Sequence, residues 1–140
     1  MSRIFWDTNL FIYLFEDYGK FSTTVAELRD KMLVRGDQLV TSTLTVGEVL
    51  VKPAEKGDVL LCRKYEQAIV GTATVLPFDL KAARFYSNIR SDRSLRAPDA
   101  LQLACAGSSG IDLFVTNDHR LQGKKVPGIQ FIAALDRVPI

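Results

Sequence analysis

Histidine occurs once in these 140 residues and cysteine twice. The single imidazole, His119, offers no Ser/His/Asp or Cys/His arrangement for nucleophilic catalysis. Cys62 and Cys105 stand far apart in stretches of helical pattern, without metal-ligand spacing and too few for a disulfide framework. Both are expected as small buried hydrophobes. No apolar run approaches the length of a membrane span. The N-terminus has one basic residue, then acid and amide within ten positions, unlike a signal peptide, so the expected compartment is the cytoplasm. Neither sign of charge dominates: 18 Lys and Arg against 16 Asp and Glu leave +2, which permits nucleic-acid contact without demanding it. No repeat, low-complexity tract or Pro/Gly-rich linker divides the chain, and residues 1–140 are expected to form one domain.

Short apolar runs alternate with amphipathic stretches. Arg3–Trp6 predicts a first strand, ending at the polar joint Asp7-Thr8-Asn9, three good helix starters placed before Leu10–Phe15. Apolar positions 21, 25, 28, 32 and 33 predict a helix over Phe21–Arg35, stopped by Gly36. A second strand follows at Gln38–Thr41, then a helix over Leu44–Val51 that stops before Pro53. Val59–Val70 reads as helix, Thr74–Leu76 as strand, and Leu80–Arg90 as a helix capped by Asp79. Ala97-Pro98-Asp99 opens a helix whose ALQLACA core is apolar on nearly every side, which predicts a buried element. Leu113–Thr116 and Gln130–Ile132 complete five strands. The alternation implies an α/β fold, a parallel sheet with helices on both faces, whose ligands bind where strands end.

Four acids fall at positions this arrangement brings toward one rim. Asp7 directly follows the first strand and Asp118 the fourth; Glu48 lies in the helix after the second strand, and Asp99 in the first turn of the apolar helix. Each has a bland explanation. Asp7 and Asp118 suit helix or turn starts, Thr45-Val46-Gly47-Glu48 matches a capping box, and a first turn favours Asp99. Thr45, however, lies inside the predicted helix, Gly47 leaves room for close approach, and Asp99 sits on a helix fit for the core. Two carboxylates 4 Å apart repel by roughly 4 kcal/mol at an effective dielectric near 20. Four at one rim therefore point to a hard divalent cation among them.

The blocks FWDTN, TLTVGEVL, APDALQLACA and LFVTND, in this order over positions 5–118, resemble those of PIN domains of the kind found in VapC-type toxin ribonucleases. The resemblance implies a parallel five-stranded sheet of order 3-2-1-4-5, with the first and fourth strands adjacent. It implies Asp7, Glu48, Asp99 and Asp118 as catalytic and metal-holding acids, Thr116 and Asn117 as accessory groups, and Mg²⁺ or Mn²⁺ as cofactor. A further acid that some members carry after the last block is replaced here by His119 and Arg120. The activity implied is metal-dependent hydrolysis of RNA phosphodiesters by the toxin of a toxin–antitoxin pair. The partners implied are RNA, a small antitoxin and a second copy of the chain.

Basic residues gather before Asp99: Lys81, Arg84, Arg90, Arg93 and Arg96. Arg93 and Arg96 lead into the acidic rim and are expected to meet an RNA backbone; Lys81 and Arg84 read as an exposed helix face. His119 reads as a turn residue. Phe11, Tyr13, Leu14 and Phe15 fit either a fully buried helix or an interface. Two other readings differ in class. A PIN-like module that binds RNA or protein without cleavage keeps all four acids. An aspartate-based phosphatase or phosphoacceptor domain also places an acid after the first strand, but wants paired acids where this chain has Asp7-Thr8-Asn9.

Overall fold

Four residues, Arg3–Trp6, form β1, and their alternation decides how the molecule is layered. Successive side chains of a strand leave opposite faces. Ile4 and Trp6 enter one buried cluster with Phe11, Val25 and Met32, whereas Phe5 enters another with Leu103 and Phe114. The computed structural model, which describes residues 1–140, therefore carries a core on each side of its sheet.

The sheet contains β1, β2 (Gln38–Ser42), β3 (Thr74–Leu76), β4 (Ile111–Thr116) and β5 (Ile129–Ala134), all parallel, in the order β3-β2-β1-β4-β5. This is the order implied by the family resemblance, and it makes β1 and β4 neighbours. Their register pairs Ile4 with Leu113, Phe5 with Phe114 and Trp6 with Val115. Phe5 and Phe114 stack across it at 4.9 Å and 8°, a pairing that adds roughly 0.5–1.5 kcal/mol beyond burial. Strand order reverses at β1, so the carboxyl ends of β1 and β4 flank the switch point.

Seven helices cover the faces: α1 (Thr8–Phe15), α2 (Lys20–Arg35), α3 (Thr43–Val49), α4 (Val51–Glu55), α5 (Val59–Thr72), α6 (Leu80–Ile89) and α7 (Ala97–Ser109). Leu10, Phe11, Val25, Met32, Val49 and Ile69 bring α1, α2, α3 and α5 onto the Trp6 side. Ile89, Ala100 and Leu103 bring α6 and α7 onto the Phe5 side. No helix is long and apolar enough to cross a membrane.

The boundaries differ from expectation where a local rule had a competitor. Helix α3 stops before Pro53 as expected, already at Val49, but Pro53 is itself the third residue of the separate helix α4, where a missing N–H costs no intrahelical bond. Helix α3 is capped by Ser42, whose hydroxyl accepts from Thr45 N, so Thr45 lies inside the first turn and no capping box forms around Glu48. Cys105 is buried but Cys62 is half-exposed on α5, where only Ile69 is buried. Gly47 faces open space rather than a close neighbour. The close approach occurs instead at Gly107, where an added Cβ would fall 2.6 Å from the Pro127 carbonyl oxygen.

Candidate active site

Asp7 occupies the one-residue joint between β1 and α1. Trp6 and Leu10, both fully buried, fix the flanks, and Asp7 N donates to Val115 O across the sheet at 3.1 Å. The side chain caps α1: Oδ1 accepts from Thr8 N at 2.9 Å. Oδ2 accepts from the buried Thr116 hydroxyl at 2.8 Å. Even so the carboxyl, only 9% exposed, is pushed up to about 6. Burial is the largest cause; the bonds from Thr116 and Thr8 pull the other way, and the charges of Asp99 and Glu48 add to the rise. A capping role explains the bonds, but not the placement of two further acids around them.

Thr116 ends β4 and ties two of the acids together. While donating to Asp7, its oxygen accepts from Asp118 N at 3.0 Å. Asp118 in turn starts the short 3-10 turn His119–Leu121 by accepting from Arg120 N. Asp99, in the first turn of α7, faces the same opening as Asp118. Arg96 Nε is 3.4 Å from Asp99 Oδ2, and its Nη2 is 4.0 Å from Asp118 Oδ2. Arg120 Nη2 lies 2.6 Å from Asp118 Oδ2 and 4.0 Å from Asp99 Oδ2. Two guanidinium groups thus span these acids, and Arg120 holds the Asp118 carboxyl below its usual range.

Glu48 projects from α3 toward the α1 start. Its Oε1 accepts from the Thr8 hydroxyl at 2.6 Å. Behind Thr8 lies a buried polar group of Thr41, Ser42, Thr45 and Gln102. Neither Gln102 nor Arg120 was expected to matter from the sequence. The available signal for Gln102 was that it is the one large polar side chain within ALQLACA. For Arg120 it was a cation two residues beyond a candidate site acid.

The remaining expected residues lie nearby with plainer roles. Asn117 Nδ2 donates to the Tyr13 hydroxyl at 3.0 Å, fastening the β4 end to α1. His119 is exposed, with Nδ1 2.9 Å from Gln122 Nε2, as fits a turn residue. Arg93, Arg84 and Lys81 are exposed, whereas Arg90 bonds the Leu95 carbonyl. Phe11 is buried, Phe15 stacks on Tyr65 at 4.9 Å, and Leu14 is exposed, so α1 is buried on one side only.

The donors at this rim are carboxylate and hydroxyl oxygens, a set suited to Mg²⁺ or Mn²⁺. As their side chains stand, no three of the acids, with or without His or Cys, come close enough together to hold one ion. Arg96 and Arg120 supply the positive charge between Asp99 and Asp118. No arginine or lysine pairs with Asp7, whose carboxyl is driven upward first by its burial and then by the charges of Asp99 and Glu48.

A family model described as PIN domain matches residues 4–126. A search of curated proteins returned no match. Among solved structures, VapBC2 from Rickettsia felis, bound to a DNA fragment from its promoter, is similar with a TM-score of 0.74 at 12% identity, covering 94% of this chain and 97% of that one. DNA-bound VapBC from Salmonella typhimurium gives 0.66 at 19%, covering 96% and 99%. Mycobacterium tuberculosis VapC20, a sarcin-ricin loop cleaving toxin, gives 0.59 at 15%, covering 79% and 86%. At these identities the likeness speaks for the fold, and activity has to be argued from the site.

Proposed function

The chain belongs to the PIN domain family, and on that premise we propose that it is a metal-dependent endoribonuclease, the toxin of a toxin–antitoxin pair. The observation that carries the reading is Asp7: a carboxyl buried at a strand end beside Asp99 and Glu48, pushed up to about 6 first by that burial and then by its two acidic neighbours. Asp7 and Asp99 are the direct ligands for Mg²⁺ or Mn²⁺ in this reading, with Asp118 and Glu48 binding directly or through water. Bound there, a divalent ion supplies Lewis acidity toward water and toward the phosphate oxygens.

The protein's own contribution is positioning and charge. Thr116 sets the separation of Asp7 and Asp118, and Thr8 aims one oxygen of Glu48. Arg96 and Arg93, at the head of α7, meet the RNA phosphates, and Arg96 exchanges its contact with Asp99 for the incoming phosphate. RNA as substrate is favoured by the sarcin-ricin loop cleavage attributed to the similar VapC20. An antitoxin partner is favoured by the VapBC pairs among the similar structures. Homodimerisation and a cytoplasmic location belong to the same reading.

The test is a digest of total RNA in Mg²⁺ by the wild type, Asp7→Asn and Asp99→Asn, with and without the product of the neighbouring open reading frame. Cutting by the wild type alone, suppressed by that product, is expected. Equal cutting by all three proteins would sink the nuclease reading, since contamination would explain it. The arginines lying on Asp99 and Asp118 favour one other reading, a PIN module that binds RNA without cleaving it. In the same digest that protein would retain RNA and leave it intact.

A further inference from the structure

Helix α7 carries two polar side chains that point toward the β1–α1 joint: Asp99 in its first turn and, three residues on, Gln102. That spacing places them on one helical face. Gln102 is only 2% exposed, surrounded along the chain by Ala100, Leu103 and Ala104, all fully buried. A side chain without polar atoms would suit that packing. An amide there is tolerated only where its donors and acceptor are all partnered.

They are, and counting protons gives each bond a direction. The Gln102 oxygen accepts from the Ser42 hydroxyl. One Gln102 Nε2 hydrogen goes to Thr45 Oγ1 at 2.7 Å and the other to Thr8 Oγ1 at 3.1 Å. Thr41 gives its hydroxyl proton to the Trp6 carbonyl at 2.9 Å, which can only accept. The 2.9 Å contact between Thr41 and Thr45 is therefore donated by Thr45. The Thr8 proton has two acceptors in reach, Thr45 Oγ1 at 3.4 Å and Glu48 Oε1 at 2.6 Å, and the much shorter contact to a charged oxygen assigns it to Glu48. The network runs one way, from Gln102 through Thr8 to the acid.

We propose that Gln102 is a positioning residue for Glu48, acting through the Thr8 hydroxyl to hold one carboxylate oxygen as an acceptor and fix the direction of the other. The inference rests on the functional reading only in taking Glu48 as a site acid; the orientation itself follows from the chain's own hydrogen bonds. Outer-shell partners of this kind change metal affinity about 10–100-fold when removed.

Three variants test it. Gln102→Met keeps the length and removes every donor; Thr8→Val keeps the shape and removes the hydroxyl; Thr8→Ser keeps the hydroxyl. In metal-free protein labelled with ¹³C and ¹⁵N, three-bond couplings report the side-chain rotamers of Glu48. One rotamer is expected in the wild type and Thr8→Ser, and an average over several in Gln102→Met and Thr8→Val. A single unchanged rotamer in Gln102→Met overturns the proposal. Should Gln102→Met fail to fold, Thr8→Val severs the last link alone and decides by the same criterion. Mn²⁺ titration supplies the second readout, with about tenfold weaker binding expected in both disrupting variants and recovery in Thr8→Ser. If the rotamer averages but the wild type binds no Mn²⁺, the positioning role stands and the metal-dependent nuclease reading falls.

Discussion

Arg120 turns back onto Asp118, with Nε 2.9 Å from Oδ1 and Nη2 2.6 Å from Oδ2. This two-point contact matches the planar fork of the guanidinium to the carboxylate. Because Nη2 also stands 4.0 Å from Asp99, one side chain supplies the charge that a divalent ion would bring to both acids. On the proposed reading, in which Asp118 and Asp99 hold a divalent ion, arginine and metal compete for them.

The competition has a measurable consequence. In Arg120→Ala, Asp118 and Asp99 lose that cover, and Mn²⁺ affinity is expected to rise several-fold, as read by calorimetry at low ionic strength. Arg120 is half-exposed, so folding stability is expected to change little. Unchanged or weaker Mn²⁺ binding in a folded variant would separate the arginine from the cation site.

Asp7 gives the metal-free protein a pH dependence of definite sign. Its carboxyl lies at about 6 in the folded protein against 3.8 ordinarily, so between these values the folded state holds more proton than the unfolded one. Stability is therefore fully present below about pH 3.8 and is lost as pH rises through 6, by about 3 kcal/mol in all. Asp118 and Asp92, which Arg120 and Lys124 hold below the ordinary value, have the opposite sign and act below pH 3.8. In EDTA, the melting temperature is expected to fall between pH 4.5 and 7. A rise over this interval would contradict the burial of an ionisable Asp7.

Asp7→Asn removes that ionisation. At pH 7.5 in EDTA the variant is expected to be more stable than the wild type by about 1–2 kcal/mol, several degrees in melting temperature. The gain stays below the full 3 kcal/mol because the amide replaces a carboxylate that accepts from Thr116 and Thr8. Adding Mn²⁺ is expected to raise the melting temperature of the wild type and leave Asp7→Asn unmoved. An equal metal-dependent rise in both proteins would remove Asp7 from the cation site.

The elements that fix Asp7 and Asp118 were legible because both follow strands buried on two faces, whose apolar runs stop abruptly at a polar residue. Gly36 and Asp79 were legible as well, since each acts within one helix terminus. Helix α4 was missed because proline is equally at home after a helix and in the first turn of the next. Ser42, rather than Thr45, caps α3, in keeping with Thr45 lying inside the predicted helix, because the hydroxyl nearest the strand end reaches the free N–H groups first. Bonds between distant elements had no local signature. Thr8 meets Glu48 across 40 residues, and Gln102 meets Thr8 across 94. Periodicity marks residue 102 only as a core position, without saying why the core there is polar.

Thr116 shows how tightly the two strand ends are coupled. One buried hydroxyl donates to Asp7 and accepts from the backbone of Asp118, so Thr116→Val breaks both bonds without changing side-chain shape. Leaving these groups unpaired is expected to cost about 2 kcal/mol at neutral pH. The loss should depend on pH in a known direction. The Thr116 bond holds the Asp7 carboxyl down, and its removal moves the carboxyl further above 6. The ionised form thus loses more than the protonated one. The difference in melting temperature between wild type and Thr116→Val is expected to be larger at pH 8 than at pH 4.5, while Thr116→Ser, which retains the hydroxyl, stays near the wild type at both. A loss of equal size at the two pH values would show that Thr116 supports the backbone of Asp118 alone, with no part in the state of Asp7.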